Sequence, residues 1–376
     1  MQKIVKYAGV LCMKKLKGFQ PISITNNKIL LYKKNKLYFY YESSDSYEHV
    51  LTINTDLKTR FLGQIRLLSR LFRKDIKSYM QINDKELFIS FNRKIYYVSL
   101  EKKSAKDIFD IKTGFSEPLN YCIPLQGNTK FKVLFGDYGN NAERYEVSIY
   151  GIDNNLCIRK IFTFKKGDIR HIHNIIPDIY KDGYYIFTGD NEEKAGIYWV
   201  NADFSKLRPV FVGDQKARAV AGFVTPKGLL YAMDSISEKN YIWLLTESDQ
   251  NFNLMKIGNL NGSVIYSTKY LSGYLLSTTV ESEERVNNNK LSLLSVKRGK
   301  GILSNDVHLV HINENLDVSI IKKFRKDKFP FKLFQYGAIR FPNGMENYNS
   351  LIIYPNAIKK YDGNTMILNF LEDINQ

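Results

Sequence analysis

The amino-acid sequence predicts an all-β fold: a single β-propeller over residues 1–376, with seven four-stranded blades and six as the alternative count. Three observations predict it. Short β-rich runs alternate with Gly, Asn, Asp and Lys turns along nearly the whole chain. A strand that ends in a carboxylate recurs at Asp137, Asp190, Asp234 and Glu281, within the roughly 40–50-residue period of a propeller blade or close to it. A second repeat, an Asp or Asn two residues before a small or turn-prone residue, falls between the third and fourth strands of a group.

The strand runs fall into seven groups of three or four. The first group is 22–24, 29–32, 37–41 and 49–53, and the second is 79–82, 86–91 and 95–100. The third is 131–135, 145–150 and 158–164, and the fourth is 171–176, 184–188, 196–200 and 207–212. The fifth is 220–225, 229–233, 241–245 and 254–257. The sixth is 264–270, 274–280, 307–312 and 318–324, with an insertion. The seventh, 335–341, 350–354 and 364–370, lacks a clear last strand, and the stretch 2–10 is the candidate to complete it. Putting both termini in one blade would protect the sheet edges. Tyr and Phe, at 26 and 23 residues, suit pleated, half-buried surfaces.

One stretch breaks the period. Residues 60–77 read as a short basic helical insertion, centred on 62–77, with Leu62, Ile65, Leu68 and Leu71 or Phe72 on one face and Arg66, Arg70, Arg73 and Lys74 elsewhere. The favoured expectation is that this helix packs on the propeller; the alternative is peripheral membrane contact.

Composition excludes several classes. The formal net charge is +17, which reads as a solvated basic surface; without a recognition motif, nucleic acid is not expected as a partner. Cys12, Cys122 and Cys157 are far apart and lack CxxC spacing, against a disulfide framework or zinc site. The apolar patch 7–13 is short and followed at once by Lys14, Lys15 and Lys17, unlike a secretion signal, and no run approaches the ~18 apolar residues of a spanning helix. The expected localisation is cytoplasmic. No GxSxG, HExxH, P-loop or dinucleotide fingerprint is present.

Chemistry-bearing residues concentrate between 136 and 235. Asp137, His173, Asp190 and Asp234 are the candidate catalytic groups. Tyr138, Arg144, Arg170, His171, Asn174, Gln215, Arg218 and Glu281 are the candidate substrate-binding groups. Equivalent blade ends converge on a propeller axis, so an axial pocket would gather carboxylates, guanidinium groups and two imidazoles. Arginines bind a sugar carboxylate through paired hydrogen bonds. His171 and His173, two apart in a strand, share a face. Such a pair is a general base or a partial metal site. With no third ligand identified beyond Asp190 or Gln215, no cofactor is expected and a divalent metal is the lesser alternative. The plain reading of each carboxylate is a turn cap or an ion pair with arginine.

The series Gly136-Asp137-Tyr138, Arg170-His171-Ile172-His173, Thr188-Gly189-Asp190, Gln215-Lys216-Ala217-Arg218-Ala219-Val220 and Met233-Asp234-Ser235 resembles a family of bacterial β-propellers encoded among surface-polysaccharide genes. The likeness runs over 130–245 and continues weakly at 278–281 and 334–337; Met233 stands where that family has Thr. The turns at Asp153, Asp203 and Asn313 distantly resemble the BNR or Asp-box hairpins of sialidase-like propellers, with Ile158, Arg208 and Val318 in place of the usual final Trp. The resemblance implies an arginine cluster that holds a sugar carboxylate, with Asp137 and Tyr138 of the matching types beside it. It implies no particular reaction.

The expected function is a carbohydrate-active or glycan-binding propeller for an acidic oligosaccharide or polysaccharide in surface-polysaccharide metabolism. If it turns over substrate, it is a glycoside hydrolase, which needs two flanking carboxylates, or a polysaccharide lyase, which needs a neutralised carboxylate and a base. A non-catalytic scaffold for protein–protein interaction is the alternative.

Overall fold

In the computed structural model the described residues are 10–125, 130–189, 194–248, 251–283 and 293–370. The chain opens with β1 (Val10–Leu16) and a first blade of β2 (Gln20–Thr25), β3 (Lys28–Lys33), β4 (Lys36–Tyr41) and β5 (Ser46–Thr52). Helices α1 (Leu57–Gln64) and α2 (Arg66–Leu71) precede blade 2, made of β6 (Ser78–Asn83), β7 (Glu86–Phe91), β8 (Lys94–Ser99) and β9 (Ser104–Asp110). Blade 3 is β10 (Tyr121–Cys122), β11 (Phe131–Gly136), β12 (Val147–Asp153) and β13 (Ile158–Phe164). Blade 4 is β14 (Ile172–Asp178), β15 (Gly183–Thr188), β16 (Gly196–Asn201) and β17 (Leu207–Val212). Blade 5 is β18 (Ala219–Thr225), β19 (Gly228–Met233), β20 (Asn240–Ser248) and β21 (Asn251–Leu260). Blade 6 is β22 (Val264–Tyr270), β23 (Gly273–Thr278), β24 (Asp306–Ile312) and β25 (Val318–Arg325). After a single turn, α3 (Phe331–Phe334), blade 7 contributes β26 (Ala338–Arg340), β27 (Leu351–Asn356) and β28 (Thr365–Phe370).

These strands form seven four-stranded antiparallel sheets, the blades of a β-propeller. In the first six blades the strand order follows the chain; the seventh runs β1-β28-β27-β26. The residues cluster into two units: Met1–Asp75 with Ser235–Tyr241 and Ile257–Gln376, and Ile76–Asp234 with Ile242–Lys256. The first has a core that includes Leu31, Tyr40, Leu309, Ile339, Ile352 and Leu368. In the second, Leu134, Ile149, Ile175 and Ile186 pack in one layer and Phe187, Ile197, Leu229 and Tyr231 in another.

The missing strand of blade 7 comes from the N-terminal part of the chain, as Val10–Leu16. It pairs with β28 from Val10 opposite Phe370 to Leu16 opposite Thr365, which covers an otherwise open edge. Residues 2–9 lie outside the described residues. Two strands escaped the hydrophobic pattern. β9 is an outer strand whose Ser104, Lys106, Asp107 and Asp110 are exposed, with Ile108 and Phe109 half-buried against the core, so its hydrophobic pattern is weak. β10 is two residues long and sits between Pro118 and Pro124, which cannot donate to a ladder.

The 60–77 segment also departs from expectation. It is two helices broken at Ile65, which serves as the C-cap of one and the N-cap of the next. Asp56 caps α1 by accepting a hydrogen bond from Thr59 N–H at 2.8 Å. Leu62 is buried as expected, but Ile65 and Phe72 are exposed while Arg70 is only 2 % exposed. The reason is an ion network. Arg66 donates to Asp75 and Asp362 at 2.6 and 2.9 Å, and Arg70 donates to Asp327 at 2.6 Å and to the Phe334 carbonyl. Paired arginines outcompete leucines for the inward face.

The Asx turns form at two of the three expected places. Asp153 accepts from Asn155 N–H, and Asp203 from Ser205 N–H, each two residues on. Asn313 instead accepts from Asp317 N–H, four residues on.

Candidate functional site: a polar cluster at the first strands of blades 3 to 5

Within the second unit the first strands of blades 3, 4 and 5, β10, β14 and β18, lie side by side. The last residues of β11 lean on the start of β14. Asp137 accepts from Ile172 N–H through its backbone carbonyl at 2.9 Å. Gly136 makes this approach feasible, because a Cβ there would stand 2.6 Å from the Ile172 side chain. Gly139, at φ 146°, then turns its carbonyl onto His171 Nδ1 at 2.6 Å.

Strand β14 carries a β-bulge at His173, where its register against β15 shifts between Ile172 and Asn174. Bulges at the matching position of blades 1, 5 and 6 hold Ile22, Val220 and Ile265. Blade 4 alone of these four places an ionisable side chain there. A bulge re-aims its side chain, and here it brings the two imidazoles together, as their two-residue spacing predicted. Their rings are 4.8 Å apart and the two Nε2 atoms 2.9 Å. His173 Nδ1 lies 2.9 Å from the Ala219 carbonyl on β18. Both rings are 3 % exposed.

Each Nδ1 lies against a backbone carbonyl, and the two Nε2 atoms stand within hydrogen-bond distance of one another, the donor being set by the tautomer. The same Nδ1-to-carbonyl anchoring is what orients histidine for a metal. However, among the described residues no three His, Cys, Asp or Glu side chains are grouped to hold an ion.

Around the pair, the Tyr138 ring stands 4.8 Å from His171 and 6.2 Å from His173, with Lys77 Nζ 5.0 Å from the Tyr138 ring centre. Asn120 donates to the His173 carbonyl at 3.0 Å, and Asn174 donates to the Val220 carbonyl at 2.8 Å. Arg170 reaches Asn140 at 2.7 Å. Arg218, at the end of a turn over Gln215–Ala217 that buries Gln215, stands 3.7 Å from the Asp234 carboxylate, and both side chains are under a tenth exposed.

Asp137 is turned into its own blade. It accepts from Ser148 N–H at 2.9 Å, from the Tyr150 hydroxyl at 3.3 Å and from Lys112 Nζ at 3.4 Å. Burial pushes its carboxyl above the usual range, against the pull of those donors. Lys112 and Tyr150 were not legible as site residues, because Lys112 follows the unforeseen β9. Arg144 is held at φ 50° in the loop after β11, its carbonyl accepting from Gly167 N–H. Glu281, in the first unit, accepts from Ser263 and Thr279 hydroxyls at 2.7 and 2.5 Å. Asp190 lies outside the described residues. A cleft of about 940 Å³ also occurs in the second unit, but its lining is the turn set around Asp153, Arg159, Asp182 and Asp203.

The fold is a β-propeller, and this cluster gathers polar side chains at the first strands of blades 3 to 5. No protein-family model and no curated protein matches the chain. Solved structures do. Oligogalacturonate lyase from Vibrio parahaemolyticus superposes with a TM-score of 0.56 at 10 % identity, covering 96 % of this chain and 91 % of that one. A chain of the mitotic checkpoint complex gives 0.52 at 8 %, covering 99 % and 98 %. The AfRom2 CNH domain gives 0.51 at 8 %, covering 97 % and 98 %. At such identities the likeness is one of fold. Among the described residues no helix is long and apolar enough to cross a membrane.

Proposed function

We propose that this propeller binds an acidic oligosaccharide or polysaccharide at the cluster around His171 and His173, within bacterial surface-polysaccharide metabolism. The observation that carries the reading is the contact of the two imidazoles beside Tyr138, at a bulge that is apolar in the blades compared above. Imidazole nitrogens together with the Arg170 and Arg218 guanidinium groups are donors of the kind that grip a sugar carboxylate. Tyr138, Asn174 and Gln215 supply hydroxyl and amide groups for sugar hydroxyls, and Arg144 is a further donor of the binding set. Oligogalacturonate, named for the lyase of similar fold, belongs to this substrate class. For turnover, His173 is the base and Asp137, Asp190 and Asp234 the acidic groups; the reaction is then elimination by a lyase or hydrolysis by a glycosidase.

The test is calorimetric titration with oligogalacturonates, sialylated oligosaccharides and neutral oligosaccharides of equal length. Binding of an acidic series, weakened at least ~10-fold by His173→Gln and by Arg218→Gln, is expected. No binding of any acidic glycan would overturn the reading. A scaffold role is favoured by one observation: the Asp137 and Asp234 carboxylates already have protein partners. That reading stands if both variants leave function intact while changes on exposed faces abolish it.

A further inference from the structure

The helical insertion of the first unit presents an apolar surface that its own sequence would be expected to hide. Leu57 and Phe61 are four residues apart on one face of α1, and Ile65 follows at the break between the two helices; they are 81, 63 and 50 % exposed. Leu67 and Phe72 extend the exposed apolar surface along α2 at 42 and 46 %. The opposite face of α1 carries Thr59 and Leu62, which are buried.

Rotation cannot cover the stripe. Arg66 is bound to Asp75, Asp362 and Asn356, and Arg70 to Asp327 and the Phe334 carbonyl. Turning the helices inward would strip these partners from two guanidinium groups. The stripe is thus a fixed feature of the surface.

Charge indicates what covers it. From 57 to 74 the chain has Lys58, Arg60, Arg66, Arg70, Arg73 and Lys74 and no Asp or Glu. With Arg66 and Arg70 committed inward, Lys58 and Arg73 remain exposed beside the stripe, and Arg60 and Lys74 are partly exposed. Bulky apolar side chains on a short helix, flanked by more cations than carboxylates (Asp56, the N-cap of α1, is the exposed acid beside the stripe), match the interface of an anionic bilayer, where apolar insertion and attraction to headgroups act together. A single short helix supplies too little apolar area to bind neutral lipid firmly, so both contributions are needed.

We propose that α1 and α2 dock this protein on the surface of an anionic lipid bilayer, with Leu57, Phe61 and Ile65 inserted at the headgroup level. The full chain is co-sedimented with vesicles of phosphatidylcholine alone and of phosphatidylcholine mixed with phosphatidylglycerol in a roughly two-to-one ratio. Partition onto the anionic vesicles only is expected, falling at least ~10-fold when salt is raised to about 0.5 M. Phe61→Asp with Ile65→Asp should lower partition at least ~10-fold, and Lys58→Glu several-fold. The circular dichroism spectrum and unfolding midpoint should stay unchanged, because these side chains face solvent. A Phe61→Trp variant should shift its emission to the blue on anionic vesicles. No partition onto anionic vesicles, equal partition onto neutral ones, or indifference to the Asp substitutions would overturn the proposal. A concentration-dependent dimer abolished by Phe61→Asp, without vesicle binding, would assign the stripe to a second copy instead.

Discussion

Replacing Arg70 by methionine tests how the insertion is anchored. The guanidinium is almost fully buried, with its side chain 3 % exposed. It donates to Asp327 at 2.6 Å and to the Phe334 carbonyl at 2.9 Å, and lies 3.5 Å from Asp362. Methionine keeps much of the stem's packing but removes every donor. Breaking a buried ion pair from one side costs about 3–5 kcal/mol. Asp327 keeps Lys326 Nζ at 2.9 Å and Phe329 N–H at 3.1 Å, so the cost falls at the lower end, about 3 kcal/mol. Both tryptophans, Trp199 and Trp243, belong to the second unit. Hydrogen exchange over 57–74 is therefore the assay, since it reads local opening directly. Exchange there should accelerate about 100-fold, the factor that corresponds to roughly 3 kcal/mol. Adding Asp327→Asn should cost less than the two single changes summed, because the orphaned carboxylate is gone. A change below ~0.5 kcal/mol for Arg70→Met, typical of a surface site, would refute the inward placement of Arg70.

Three further outcomes follow from particular contacts. Burial opposes ionisation of Glu86, but hydrogen bonds from Lys132, Tyr97 and Asn83 outweigh it and hold its carboxyl down to about 2. This stability is present above about pH 4.5 and lost as pH falls toward 2. With solvent screening the swing is about 1–2 kcal/mol, read by urea midpoints at stepped pH and flattened in Glu86→Gln. Gly183→Ala would place a Cβ 2.4 Å from the Trp199 ring and from the Val200 carbonyl; a loss of about 2 kcal/mol or more in thermal unfolding is expected, and a neutral result would contradict the β15–β16 packing. Glycan binding should survive exhaustive chelation with EDTA, because a direct Nε2–Nε2 hydrogen bond already joins His171 and His173; loss of binding restored by a divalent metal would reverse that account.

Much of the architecture was readable from local pattern because blade strands are short, alternate in polarity and are separated by turns with their own chemistry. The inner and middle strands carry core residues such as Ile29, Leu134, Ile186 and Leu230, so a hydrophobic reading finds them. The outer strand of blade 2 packs Ile108 and Phe109 against the core, too few for a period, and β9 was missed for that reason. The pairing of His171 with His173 was legible from spacing, but the bulge that brings their Nε2 atoms together was not, because register is a property of two strands. Asp137 was legible as a strand-end carboxylate. Its partners Lys112 and Tyr150 are 25 and 13 residues away in the chain, and no local signal links them.

The sequence by itself determined the repeating unit, the approximate number of blades and the set of polar residues at their strand ends, because these depend on contacts within a few residues of the chain. Only the tertiary structure decided that β1 completes the seventh blade, that Arg66 and Arg70 turn inward while Phe61 and Ile65 turn out, and that the two histidine Nε2 atoms meet. Each of those outcomes is a competition for partners far apart in sequence, such as Arg66 with Asp362, and hydrophobic periodicity has no knowledge of where those partners lie.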